Sequence, residues 1–291
     1  MKKIVAFTLL LCMVLSLASC GKAEITMQEI HDASQTEALL KNHESVYTQE
    51  EMYDGIRREV YLTKDYAYAY VYIPDEESDW AEFITDDAYY CYMGGDYLRY
   101  LPISPDGVSD FASYRAEQYA AVILGVDTLD DIIESVTPKD GRITIKSVSD
   151  QEALAELGVT SAQFEYILDA KTREMISLIS DYTLNDGTAF GSVIEVTYDT
   201  EEPEMVKTFL EYDNQTENLR NITVVSNPGI ENEKIESVQV PKGLIIGFRY
   251  DEDDTSEFHL YIDAACTEPY DAYMNTDSDL TLYVKWSEQT E

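Results

Sequence analysis

The stretch from Lys64 to Pro74, KDYAYAYVYIP, alternates strictly: Tyr66, Tyr68, Tyr70 and Tyr72 fall on one parity, and Ala67, Ala69, Val71 and Ile73 on the other. Period two is the mark of a β-strand, whose successive side chains point to opposite faces of a sheet. A half-buried strand normally carries charge on its solvent face, yet here neither face does. Either both faces are covered or one lines a surface that something else occupies. Small Ala67 and Ala69 permit close sheet-helix packing, so their side is expected against a helical layer. The four tyrosines then form an outer face that their hydroxyls keep tolerable in water and that a partner can use. The opposite assignment, with the rings around a cavity for a hydrophobic ligand, stays open. Tyr66, Tyr68, Tyr70 and Tyr72 are therefore the candidate ligand-binding residues, with cross-strand aromatic packing as the competing explanation.

The same period runs from Val46 to Ile103, interrupted at Lys64-Asp65, Pro74 to Asp79, Asp86-Asp87 and Gly94 to Asp96, which predicts an antiparallel meander. Ten of the forty residues from Tyr61 to Tyr100 are tyrosine, concentrating amphipathic rings in one sheet. Before it, Thr26 and Glu29 have the spacing of a capping box and open a helix over about Met27 to Lys41. After it, helical signals cover Ser109 to Leu124 and Thr128 to about Val136, a strand covers Arg142 to Ser149, and a small capped helix runs from Ser149 to Gly158. Three long strands follow, Ala162 to Leu168, Glu174 to Leu184 and Ala189 to Tyr198. The pattern predicts an α+β fold class: a large curved antiparallel sheet wrapping helices, followed by a small β-grasp-like domain.

The chain opens MKKIVAFTLLLCMVLSLASC, with Lys2 and Lys3, an apolar run from Ile4 to Leu17, and small residues before Cys20. These are the parts of a secretory signal and are too short for a lasting membrane span. Leu17-Ala18-Ser19-Cys20 resembles the lipobox of bacterial lipoproteins. That resemblance implies removal of residues 1–19, lipidation of the Cys20 thiol, and anchorage at the extracytoplasmic face of the cell membrane. Two acyl chains on one residue suffice for a stable anchor. A tether of about six residues spans at most about 20 Å, which holds the first domain close to the bilayer. The formal charge of −37 repels phosphate backbones, so nucleic acid is not a partner, and it repels anionic headgroups, so the anchor is acyl and not basic. With 45% hydrophobic and 11% aromatic residues the chain is no disordered acidic tail. Cys12 leaves with the signal, and Cys91 and Cys266 are read as idle thiols, a disulfide between them being the alternative.

The element order over about Glu24 to Asp199, with the run FEYILDAKTREMISLISDYTLNDG from Phe164 to Gly187, resembles the half-barrels of the bacterial lipoprotein-carrier superfamily, LolA among them. That resemblance implies a concave apolar sheet face that takes up acyl chains or other hydrophobic ligands. The run from Phe258 to Trp286 is similar to the internalin-type B repeat of bacterial surface proteins. Asp263, Ala265, Cys266, Thr267, Pro269 and Tyr270 hold its loop positions, and Thr276, Asp279, Thr281, Leu282, Tyr283, Lys285 and Trp286 its closing strand. The repeat's usual Gly-Trp reads His259-Leu260 here, and an acidic insert, Asp251 to Glu257, precedes it. A small β-grasp fold is what this likeness implies. The domain reading is a signal over 1–19, a lipidated tether over 20–25, a carrier-like domain over 26–200, a connector over 201–220 and a repeat-like domain over 221–287. Trp286 is expected to be half-buried against Tyr270 and Tyr261.

Chemistry is sparse. His31, His43 and His259 offer no i, i+4 pair and no Cys-x-x-Cys joins them, so no metal site is assigned. No G-x-S-x-G, phosphate-binding loop or dinucleotide fingerprint occurs, so neither a catalytic residue nor a cofactor is assigned. Asp251 to Asp254 lacks the spacing of a calcium loop and reads as a solvated acidic turn. Two functions stay in play. One is a non-enzymatic, lipid-anchored protein that binds a hydrophobic or lipid-linked ligand near the membrane. The other is a surface interaction or adhesion module with no small-molecule ligand.

Overall fold

The period-two region forms its strands, with one turn more than the pattern marks. The computed structural model describes residues 25–103, 131–149, 154, 158–226, 228–229, 233–250, 258–273 and 276–286. Two short helices, α1 (Met27–Ser34) and α2 (Thr36–Leu39), lead into β1 (Ser45–Met52), β2 (Arg57–Thr63), β3 (Tyr66–Ile73), β4 (Ser78–Thr85), β5 (Tyr89–Met93) and β6 (Asp96–Ile103). A second run comprises β7 (Asp131–Lys139), β8 (Arg142–Ser149), β9 (Val159–Asp169), β10 (Met175–Leu184) and β11 (Ala189–Tyr198). Helix α3 (Glu204–Asp213) is followed by β12 (Leu219–Ser226), β13 (Lys234–Pro241), β14 (Ile245–Tyr250), β15 (Phe258–Tyr261) and β16 (Leu280–Trp286).

Both runs are antiparallel meanders, and they join where β1 pairs antiparallel with β11, from Val46 opposite Tyr198 to Met52 opposite Ser192. The result is one sheet of twelve strands in the order β14-β6-β5-β4-β3-β2-β1-β11-β10-β9-β8-β7. A four-stranded sheet, β13-β12-β16-β15, lies beyond it. Its central pair, β12 with β16, is parallel.

Register assigns every side chain of the large sheet to one of two faces. The inner face carries Val46, Val60, Leu62, Ala67 and Ala69 from one meander and Ile143, Ile145, Phe164, Tyr166, Leu168, Leu178 and Ile194 from the other. Ile30, Leu39 and Leu40 of the helical segment join the same buried cluster, so strands far apart in the sheet close over one pair of helices. Ala67 and Ala69 thus lie on the helix-covered side. Helix α1 begins as its capping box requires: the Glu29 amide donates to Thr26 Oγ1 at 3.2 Å and the Thr26 amide to Glu29 Oε2 at 2.9 Å. Extended backbone at Gln35, with ψ of 141°, breaks the expected single helix in two.

The α+β class is overturned. Among the described residues sixteen strands stand against helices of 8, 4 and 10 residues, so the chain is predominantly β, not a sheet wrapped around a helical layer. Part of the error is local. The helix expected from Thr128 to Val136 falls partly on β7, where Ile132, Ile133, Val136 and Thr137 are β-branched residues that pack better on a pleated surface than in a helix. The helix expected over Ser109 to Leu124, most of that over Ser149 to Gly158, the acidic insert and Cys20 lie outside the described residues.

The C-terminal part also departs from a separate small β-grasp domain. Strand β14 leaves its neighbours and pairs in parallel with β6 of the large sheet, Gly247 opposite Tyr100. A Cβ at Gly247 would stand 2.7 Å from the Tyr100 ring, so the ring lies flat across the glycine and only glycine fits beneath it. On the outer side Leu101, Ile246 and Phe248 continue into the core of the four-stranded sheet, with Ile222, Leu282 and Val284. Trp286 is half-buried in that core, but its ring partner is Phe258, directly opposite on β15 at 5.4 Å. Cys91 and Cys266 are free thiols.

His43 ties the helical segment to the sheet. Its Nδ1 lies 2.7 Å from Asp199 Oδ2 and its Nε2 3.0 Å from Glu174 Oε1, with the ring 4.3 Å from that of Tyr198. The Asp199 hydrogen bond raises the imidazole above its ordinary 6.5; partial burial opposes it, and Glu174 adds to the rise. His43 in turn holds the Asp199 carboxyl below its ordinary 3.8. A raised histidine stabilises the fold fully below the unfolded value and loses that contribution as pH climbs through the folded one. His43→Ala should therefore lower the denaturation midpoint more at about pH 5.5 than at about pH 9. Equal loss at both values in urea titrations would show that the imidazole does not act as a cation here.

Candidate functional site

The outer face of the tyrosine strand is where α3 docks. Phe209, fully buried on α3, stacks on Phe83 at 5.4 Å, meets Tyr97 edge-on at 5.6 Å, and lies 6.2 and 6.4 Å from Tyr90 and Tyr68. Hydroxyls fasten the flanking chain: Tyr61 donates to the Thr200 carbonyl at 3.3 Å, Tyr66 to Glu202 Oε1 at 2.6 Å, and Tyr90 to Asp213 Oδ1 at 3.1 Å. The Arg99 guanidinium lies 4.7 Å over the Tyr90 ring. Tyr68 is 3% exposed, whereas Tyr66, Tyr70 and Tyr72 are half-buried. Burial above all holds the Tyr66, Tyr68 and Tyr90 hydroxyls protonated well beyond their usual range. An amphipathic ring buries apolar area and still satisfies its hydroxyl, which is why tyrosine suits this bed. The connector therefore covers much of the row expected to face a partner. Tyr70 and Tyr72 run on past it, opposite Glu59 and Arg57 of β2. An open groove with a cavity volume of 360 Å³ lies along β11, β1 and β2, lined by Gln49, Glu50, Glu51, Arg57, Arg58, Glu59, Val193 and Glu195.

The inner face divides along the strands. One half packs beneath α1 and α2, whereas the other presents rings flanked by hydrogen-bond acceptors. Tyr166, fully buried, lies 6.1 Å from Phe164, which meets Tyr182 edge-on at 5.6 Å, and Tyr182 stacks on Phe190 at 4.7 Å with 7° between planes. Phe190 is 42% exposed, so the ladder runs from the core to solvent.

Polar groups stand on both sides of these rings. Asp131 accepts from Ser149 at 2.7 Å and from Ser147 and Tyr166 at 3.3 Å each. Ser180 and Ser192 pair through their hydroxyls at 3.2 Å. Glu50 shares the inner parity of β1 with Val46 and Thr48 and is buried, its side chain 5% exposed. The nearest guanidinium nitrogen of Arg58, its cross-strand partner, is 3.9 Å from Glu50 Oε2. Burial raises the Tyr182 hydroxyl, and the charges of Asp131 and Glu50 raise it further. Rings with acceptors at their edges suit an elongated amphipathic molecule. Among the described residues no cluster of three metal-ligating side chains occurs, and no helix is long and apolar enough to cross a membrane.

Of the sequence candidates, Tyr66, Tyr68, Tyr70 and Tyr72 lie together on the outer face, and Cys20 falls outside the described residues. Sequence reasoning missed Glu50, Asp131, Phe164, Tyr182 and Phe190. A signal existed: Glu50 is a charge on the buried parity of its strand, and Phe164, Tyr182 and Phe190 occupy inner positions of three consecutive strands.

No protein-family model matches the chain, and no curated protein matches it in sequence. Among solved structures the chain is similar to the lipoprotein LppX of Mycobacterium tuberculosis, at 11% identity over 61% of this chain and 96% of that one, with a TM-score of 0.35. It is similar to LprF from Mycobacterium bovis at 13% identity over 61% and 94%, with a TM-score of 0.33. A LolA superfamily protein from Nitrosomonas europaea aligns at 8% identity over 62% and 97%, with a TM-score of 0.25.

Phe209→Ala should cost about 3–5 kcal/mol in chemical denaturation, since a fully buried ring among four others leaves a cavity the sheet cannot close. Iodination mapped by peptide mass should then reach Tyr68 and Tyr90, which stay protected in the unaltered protein while exposed Tyr273 reacts. Unchanged stability, or Tyr68 labelled before the substitution, would show that α3 does not cover the row.

Proposed function

We propose that this is a lipid-anchored bacterial surface protein without catalytic activity, which binds a hydrophobic or lipid-linked molecule on the inner face of its large sheet, near the membrane. The observation that carries the reading is the aromatic ladder from buried Tyr166 to exposed Phe190. A molecule entering at Phe190 meets a continuous apolar track whose edges are polar. The likeness of the element order to lipoprotein carriers and the signal that ends at Cys20 agree with it. A second reading, contact with another surface protein, draws on the open charged groove whose residues Arg57 and Glu59 pair across the strands with half-buried Tyr72 and Tyr70. In that reading the contact falls to Tyr70 and Tyr72, since the connector covers Tyr66 and Tyr68.

Two measurements test the proposal. Cys20→Ala should move the protein from the detergent phase to the aqueous phase on phase partitioning, because its strong acidity leaves the acyl chains as its hold on a membrane; a variant still in the detergent phase refutes the anchor. Phe190→Ser, at an exposed position, should weaken binding of a fluorescent, uncharged fatty alcohol about fivefold, in line with the loss of one ring stack. If the probe binds the variant as it binds the unaltered protein, the ladder is not the track.

A further inference from the structure

Glu50 presents a problem of hydrogen bonding that none of the described residues solves. Its side chain is 5% exposed, and Oε2, shut off from water, has no hydrogen-bond partner among the described residues. Arg58 at 3.9 Å balances the charge from beyond hydrogen-bonding distance. A buried polar atom left without a donor costs about 1–3 kcal/mol, more when charged, so such atoms call for a partner from outside the fold. Across the aromatic ladder stands Asp131, a second carboxylate, held by three hydroxyls. Tyr182, the ring between them, feels both charges. The polar lining beside the rings is thus rich in acceptors: two carboxylates and the Ser180 and Ser192 hydroxyls, with Arg58 as the cation beside Glu50. Such a lining repels a phosphate or carboxylate and has a place for a donor.

Resting on the reading of the inner face as an amphiphile site, we infer that the bound molecule has a head group that donates hydrogen bonds and bears no negative charge, a polyol or an ammonium, and that Glu50 receives one of its donors. Specificity then comes from an unsatisfied acceptor: a matching donor recovers the missing hydrogen bond, and an anion adds repulsion to it.

Three probes with the same apolar chain separate the possibilities: dodecyl maltoside, dodecylamine and dodecyl phosphate, each kept below its micelle concentration and titrated into the full chain by calorimetry. High salt screens the general pull of an acidic protein on amines. The maltoside, the amine or both should bind at least about tenfold tighter than the phosphate, and which of the two binds identifies the donor as hydroxyl or ammonium. Glu50→Ala should remove that preference while leaving the phosphate as tight or tighter, an outcome general unfolding would not produce. Glu50→Gln, which keeps the shape and drops the charge, should weaken the amine more than the maltoside. If dodecyl phosphate binds as tightly as the others, or if both Glu50 variants keep the preference, the head-group inference is wrong and the amphiphile site stands. If none of the three binds, both fall.

Discussion

The pairing of β1 with β11 is the contact on which the rest depends. Each meander is built from neighbours in sequence, but this ladder joins strands that nearly 150 residues separate, and it makes two sheets into one. Its register also decides chemistry. With Val46 opposite Tyr198, the inner parity of β1 meets the inner parity of β11, so Glu50 stands beside Ile194 and on the same face as Ser192 and the ladder. A slip of one residue would send Glu50 and Thr48 outward and put Gln49 and Glu51 under the helices. The apolar residues Val46 and Val60, packed with Ile30 and Leu39, hold the register against that slip.

Covering the two faces follows two different solutions. Inside, small Ala67 and Ala69 give α1 and α2 room beside aliphatic side chains, and the burial is of plain hydrocarbon. Outside, α3 settles on rings, and Phe209 takes its place among four of them while tyrosine hydroxyls at the border bond to the chain before the helix and to its last residue. Gly191 on β11 shows the same use of an aromatic cover. A Cβ there would run into the Ser180 carbonyl and meet the Tyr53 ring at 3.0 Å, and the Tyr53 hydroxyl donates to Asp181.

Strands were legible in the sequence because alternation reports parity directly. The meander from β1 to β6, the three strands β9 to β11 and the capping box at Thr26 come from local pattern and need no tertiary partner to be read. Parity does not say what covers a face. That the tyrosine side lies beneath α3 depends on Phe209, more than a hundred residues later, inside a stretch whose own pattern is ambiguous. Strand β7 was missed because a helix-cap spacing at Thr128 outweighed the β-branched residues behind it. The destination of β14 was hidden for another reason: a run such as Ile245–Tyr250 reads as a strand wherever it pairs, and sequence likeness to a small repeat assigns it to the nearest sheet. The inner site was half legible, since Glu50 breaks an apolar parity, but the ladder exists only once β9, β10 and β11 are aligned.

The parallel strand β14 also constrains time. Strand β6 is complete once Ile103 has been made, yet the neighbour that covers its edge, with Gly247 under the Tyr100 ring, arrives nearly 150 residues later. Until then Leu98 to Ile103 is an open strand edge flanked by aromatic rings, the kind of surface that recruits a second chain. The connector helix, β12 and β13 are made in the interval, and β15 and β16 complete the four-stranded sheet only after β14 has been made. The C-terminal part of the molecule is in this sense a built-in chaperone for the sheet that precedes it.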